Sequence, residues 1–310
     1  QKAMETIRGA TGVGAASMGV LAATGASVAG VMLLTVGAAS KFETAFAGIR
    51  KTVEASEEQF GKLQLQVRTL AQEIPISTSQ LASIGELGGQ LGVSVAGLDN
   101  FIETIGKLGV ATRMSTESAA LGLARMSEIF ELQEQDIENL ASSLVDLGNN
   151  FAALEDEIMN TALRLAAGGK VAGSTAADVL GIATALQAVG VQSQAGGTAF
   201  ARIFQQMSIA AQGGKDQLDA FSRVMQITNE EVRELVKTDP SSALILFVKG
   251  LQRVSNEGGN VVNVLEELDL KQQRTIRALL AVAEAGDLLE EAINRANIAY
   301  KVNTALNEEA

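Results

Sequence analysis

No residue between Arg8 and Lys41 carries a charge. The window Met18–Val36 averages roughly +1.9 on the hydropathy scale used to nominate membrane spans. As a helix those residues would cover about 28 Å, close to the hydrocarbon thickness of a bilayer. Small residues recur at every fourth position, as Ala15, Gly19, Ala23 and Ser27 on one row and Ala22, Ala26 and Gly30 on the next. Such rows let helix backbones approach closely. A helix of this kind needs cover. Either lipid covers it, with Met18, Leu21, Val28, Val31, Leu33, Leu34 and Val36 as the apolar surface, or neighbouring copies pack on it through Gly19, Ala23, Ala26 and Gly30. Its many glycines make it a weak permanent anchor. Residues 1–40 are therefore expected to form a hydrophobic helical segment that inserts in a membrane or lies at the centre of an oligomer.

The next stretch, residues 41–75, carries a regular three-four spacing. Phe42, Phe46, Ile49, Val53, Phe60, Leu63, Val67, Leu70 and Ile74 fall on one phase, with Ser56 the only interruption. That is a heptad seam with mixed charges around it. Projected backward, the phase meets Ala39, Thr35, Met32, Val28, Gly25, Leu21 and Met18, so one long helix could join the apolar run to the seam. Pro75 stops it, because the residue before a proline is pushed out of the helical region. The seam reads as a surface for self-association; a long amphipathic helix lying on its own domain is the alternative.

From residue 76 to about 260 the punctuation changes to short helices with readable ends. Ser77 with Gln80, and Thr228 with Glu231, form capping boxes. Asp239-Pro240 is a helix start, with Asp at the cap and Pro in the first turn. Gly88-Gly89 with Gly92, Gly148-Asn149, Gly168-Gly169, Gly190 and Gly213-Gly214 read as helix ends. No alternating run is long enough for a strand. Only two prolines interrupt a chain rich in helix formers and poor in the aromatic residues that fill sheets. The expected fold is all-α: a long N-terminal hydrophobic and coiled-coil helix, a compact bundle of seven to ten helices over 76–260, and one or two long charged helices over 261–310. Residue 1 is Gln, so the chain reads as processed or as part of a longer polypeptide.

The missing residues exclude much chemistry. The chain has no Cys and no His. That removes disulfides, iron–sulfur clusters, a thiol nucleophile, an imidazole base and an ordinary zinc site. Glu155-Asp156-Glu157 opens a predicted helix, where acidic side chains complement the dipole. Glu131, Glu134 and Asp136 form a similar solvated group. Gly169-Lys170 and Gly214-Lys215 lack the Ser or Thr that follows the Lys of a phosphate loop. Gly12-Val13-Gly14 loosely echoes a dinucleotide-binding turn, but no strand precedes it and the next acid is Glu43. No catalytic, cofactor-binding or metal site is expected. A net charge of −12 argues against gripping DNA by charge, and no specific nucleic-acid recognition is expected.

Several blocks, taken in order, resemble the tape measure proteins of long-tailed bacteriophages. They are Phe42-Glu43-Thr44-Ala45-Phe46, Leu70-Ala71, Leu91-Gly92-Val93-Ser94, Leu98 to Gly109, and the passage from Asn149-Asn150 through Gly196-Gly197-Thr198-Ala199-Phe200. The core of the likeness is Leu186-Gln187-Ala188-Val189-Gly190-Val191 followed by Ala195-Gly196-Gly197-Thr198. The resemblance spans roughly residues 41–255 and rests on the ordered combination. It implies a structural virion protein in the lumen of the tail tube or at the tail tip. Such a protein governs tail length and assists DNA passage through the host envelope. It implies self-association of three- or six-fold kind, contacts with tail tube and tail tip proteins, and a host membrane as partner on ejection. Residues 76–260 are too compact and glycine-punctuated for a measuring rod, so this piece reads as a folded portion near the tip. Two other readings stay open: a secreted helical pore-former or secretion-system substrate, and a tail-attached peptidoglycan hydrolase, against which the absent His speaks.

Overall fold

Among the described residues, side-chain caps and left-handed residues mark out sixteen helices, and there is no strand. The computed structural model describes residues 28–213 and 215–310. The first helices are α1 (Val28–Thr52), α2 (Glu57–Glu73), α3 (Thr78–Gln90), α4 (Leu98–Ala111), α5 (Thr116–Phe130) and α6 (Glu134–Asn150). They are followed by α7 (Glu155–Ala172), α8 (Ala176–Ala188), α9 (Ser193–Gln212), α10 (Lys215–Met225), α11 (Asn229–Thr238) and α12 (Pro240–Asn256). The last four are α13 (Val261–Glu267), α14 (Gln273–Glu284), α15 (Leu288–Val302) and α16 (Ala305–Glu309). The interval 76–260 thus holds ten helices, at the upper end of the expected range.

The capping residues act as the sequence requires. Ser77 and Gln80 exchange the reciprocal bonds of a capping box at the start of α3, as do Thr228 and Glu231 at α11. Asp239 accepts from the Ser242 amide, with Pro240 in the first turn of α12. Each such cap satisfies donors that the helix itself leaves orphaned, worth about 1 kcal/mol. At their C-terminal ends α3, α7 and α8 stop at Gly92, Gly173 and Gly190, all with positive φ. There the next residue returns a hydrogen bond to the helix: Val93 N to Gly88 O, Ser174 N to Gly169 O and Val191 N to Leu186 O.

Two predicted helix ends fall elsewhere, and at the third the helix stops at Gly92 and not at the glycine pair before it. Gly88-Gly89 lies inside α3, Gly148-Asn149 inside α6, and Gly168-Gly169 inside α7. In α3 and α7 these glycines serve close packing. A Cβ on Gly88 would sit 2.8 Å from a Leu98 methyl and 2.9 Å from the Phe101 ring. A Cβ on Gly168 would sit 2.8 Å from that of Ala201. Glycine reads the same in sequence whether it ends a helix or lets a neighbour approach.

The continuous helix expected over 41–75 is two helices. Ser56, the position that breaks the heptad, caps α2 through a capping box with Gln59. The chain folds back there, so that Phe46 and Phe60 meet edge-on at 6.3 Å between centroids. The charged C-terminal stretch is likewise four short helices, not one or two long ones, and it packs into the bundle. Gly181 on α8 lets the backbone of α15 come close enough that a Cβ would lie 2.5 Å from Ile293 Cα. Ser143 on α6 donates to the Ala296 carbonyl, Arg295 pairs bidentately with Asp146, and Asn297 donates to Asp178. One apolar core runs from Phe42 to Leu306. Phe46, Phe101, Phe200, Phe204, Phe221 and Phe247 are its largest fully buried side chains. α8 lies deep in it, with every residue from Val179 to Leu186 buried.

Candidate functional site

The surface that the heptad pattern singles out is the α1–α2 hairpin, and its geometry follows from a few aromatic and charged residues. Phe42, Phe46 and Ile49 on α1, and Phe60, Leu63, Val67 and Leu70 on α2, are buried; so is Ile74, just after α2, while Val53 is half-buried in the turn. All nine seam positions therefore converge on the chain's own core. Their cover is intramolecular: a Cβ on Gly85 of α3 would meet the Ile49 side chain at 2.7 Å, and one on Gly89 would meet Thr52 and Val53.

These two contacts also set the direction of α1. Ile49 lies level with Gly85 and Thr52 with Gly89, so α1 and α3 run parallel. Thr78, the first residue of α3, is then level with about Phe42. The N-terminal half of α1 runs past the start of its partner. Val28, Gly30, Val31, Leu33, Leu34 and Val36 lie on that half, whereas Met18, Gly19, Leu21, Ala23 and Ala26 lie outside the described residues. Among the described residues no helix is long and apolar enough to cross a membrane.

Two arginines that periodicity does not reveal lock the hairpin from outside. Arg50 lies over the Phe60 ring at 4.5 Å from the centroid and pairs with Glu57 at 2.6 Å. Arg68 lies over Phe42 at 4.9 Å and reaches Glu43 at 3.4 Å. Cation–π contacts depend on which helix folds onto which, and sequence spacing carries no trace of that. The hydrogen bond from Arg50 holds the Glu57 carboxyl below its ordinary value, and the same bond raises Arg50. Glu57 is largely exposed and Arg50 more than a third exposed, so the pair adds little stability.

Elsewhere the surface is grooved without a concentrated reactive set. One groove, of about 590 Å³, lies between Phe130, Lys170, Thr175, Ala177 and Tyr300. The Tyr300 hydroxyl is pushed up to about 12, chiefly by burial, with Asp136 adding to the effect. A second groove, of about 440 Å³, runs beside Ile298 and Val302 on the outer face of α15. The acids Glu155, Asp156 and Glu157 sit in the first turn of α7, as their sequence position requires. No group of three or more metal-ligating side chains occurs among the described residues. The polar ties between elements, Arg295 to Asp146 and Lys249 to Asp287 and Glu290, hold α15 against α6 and α12. The two carboxylates raise the Lys249 ammonium.

A family model described as phage-related minor tail protein matches residues 64–268, about two thirds of the chain. The chain belongs to the phage-related minor tail protein family. No curated protein and no solved structure matches it. As a minor tail protein it is a structural component of the virion tail and contacts other tail components. The matched residues run from within α2 to the end of α13. The bundle of this minor tail protein is completed by α14 to α16, which lie beyond the match and bury Leu279, Ile293 and Leu306 in the same core.

Proposed function

We propose that this minor tail protein is the folded portion of a tape measure protein, placed in the lumen of the tail tube or at its tip. The observation that carries the reading is the family match, which falls on a glycine-punctuated helical bundle preceded by an uncharged helical run. A measuring rod extends by about 1.5 Å per residue. These residues instead fold back repeatedly into one core. The bundle therefore serves as a terminal body attached to a rod, governing tail length together with it rather than by its own span. Copies of the chain associate around the tail axis, in three- or six-fold number, and contact tube and tip proteins. The acidic balance of the chain suits a passage that DNA must traverse without adhering.

The test is the location and effect of the chain in virions. Immunogold labelling of purified tails is expected to decorate the tip region, and an in-frame deletion of 76–260 is expected to yield virions without functional tails. Absence of the chain from purified tails would remove the reading. The host-envelope step is read separately, with a peptide covering residues 9–40 and liposomes of bacterial lipid. It inserts if the run takes part in DNA passage, and a peptide that ignores lipid removes the membrane role alone.

A further inference from the structure

We propose that the α1–α2 hairpin is a hinged helix, which opens at Val53–Ser56 into one straight helix when a second copy of the chain takes over its seam. The inference rests on the reading that copies associate in the tail.

The first observation is register. Phe42, Phe46, Ile49 and Val53 before the turn, and Phe60, Leu63, Val67, Leu70 and Ile74 after it, occupy one uninterrupted three-four phase, with Ser56 as the only non-apolar member. A hairpin does not need this. Each of its helices buries a face against different neighbours, and the intervening turn resets the phase freely. Continuity of phase is what a single helix presenting one seam requires.

The second observation is the turn itself. Val53, Glu54, Ala55 and Ser56 include no glycine, no proline and no residue with positive φ. Several other breaks are fixed by such residues, Pro75 after α2, Gly92 after α3, Glu131 after α5, Gly173 after α7 and Gly190 after α8, whereas Thr112–Ser115 after α4 and Phe151–Leu154 after α6 lack them as this turn does. The turn itself carries only local and exposed contacts, the Ser56–Gln59 capping box and the Arg50–Glu57 pair, while the buried faces of α1 and α2 hold the fold-back. Every turn residue is able to take helical dihedrals.

Opening uncovers a large apolar surface. Phe46 leaves Phe60, and Phe42 leaves Arg68. Burial of that size is not given up in water by an isolated chain. A second copy with the same seam replaces it, knob for hole, so opening is coupled to association and rises with concentration.

The chain has no cysteine, so Thr44→Cys with Thr69→Cys gives two labels on exposed positions. In the hairpin these sites flank the Glu43–Arg68 contact and lie close together. In a straight helix they lie about 38 Å apart. Pulsed electron spin resonance on the full chain, diluted with unlabelled chain and followed over concentration, is expected to show the short separation in the monomer. A population near 38 Å is expected in the associated fraction. Ser56→Leu removes the cap and completes the seam, and is expected to move this transition to at least about threefold lower concentration. Glu57→Pro places proline in the first turn of α2, where the hairpin accepts it, but inside a continuous helix, where it is not tolerated. That variant is expected to keep the short separation throughout.

Three outcomes overturn the proposal: an associated fraction with only the short separation, a chain that stays monomeric up to its solubility limit, or Glu57→Pro opening like the parent. The distance measurement does not depend on finding the chain in tails, so the two readings fail separately.

Discussion

Glycine to alanine at two helix interiors gives opposite results if α15 docks on α8 as described. Gly61 lies in α2 with nothing within 4 Å of where a Cβ would stand. Alanine there gains the helix-propensity difference alone, about 1 kcal/mol. Gly181 lies in the middle of α8, and its Cβ would stand 2.5 Å from Ile293 Cα and 2.8 Å from both the Ala292 carbonyl oxygen and the Ile293 nitrogen. Carbon atoms in ordinary contact are about 3.5–4.0 Å apart, so α15 must retreat by about 1 Å. The obstacle is backbone, which has no rotamer to change. Overpacking costs roughly 1–3 kcal/mol, and a backbone contact belongs at the upper end. Net of the propensity gain, Gly181→Ala is expected to destabilise by about 1–2 kcal/mol while Gly61→Ala stabilises by about 1 kcal/mol. For a chain of 310 residues each kcal/mol moves the midpoint by about 1.5 °C. The assay is urea and thermal unfolding followed by circular dichroism at 222 nm. A Gly181→Ala protein as stable as Gly61→Ala would refute the close crossing of α8 and α15, and with it the inclusion of the C-terminal helices in the core.

Further outcomes follow from single residues. Glu131, Gln226 and Asp269 hold positive φ at helix ends, so glycine at each is expected to stabilise by about 0.5–1 kcal/mol, additively, in the same unfolding assay. Thr228→Ala removes the α11 cap and is expected to cost about 1 kcal/mol. It should also return the Glu231 carboxyl part of the way towards its ordinary value, since alanine loses the hydroxyl bond but keeps the larger lowering bond from the backbone N–H of residue 228. Because Glu231 is lowered in the fold, its contribution is present above the ordinary carboxylate range and is lost as pH falls through the folded value, which a carboxyl shift titration by NMR reads directly. Tyr300 is the only tyrosine, so phenolate absorbance near 295 nm is expected to titrate at about 12 in the folded chain. Its value is raised on folding, so the stability it contributes is intact below about 10 and is lost as pH rises towards about 12. A midpoint at the ordinary tyrosine value would place Tyr300 outside the groove beside Phe130.

Much of the helical punctuation was legible beforehand. Ser77, Thr228 and Asp239 cap helices because a short oxygen-bearing side chain satisfies the amides that follow it, and that bond involves only residues two or three apart. The buried stripes of α4 and α6 are legible for the same local reason. Gly168-Gly169 reads as an end, and Gly88-Gly89 as part of the end at Gly92, because their partners, Ala201 and Leu98 with Phe101, sit on other helices and leave no local signal. The hairpin arginines Arg50 and Arg68 left no periodic signal at all.

Local chemistry, then, was enough to determine that the described residues form helices and no strand, where most helices begin, and that the chain holds no imidazole or thiol. Whether the heptad of 42–74 forms one helix or two, and whether its apolar face meets another copy or the chain itself, was decided only by the tertiary structure. The reason is physical. An apolar stripe states that a face must be covered, since burial is non-directional and blind to the partner's identity. The partner is chosen by which surfaces fit at contact distance, and here the glycines of α3 bring that fit within the chain.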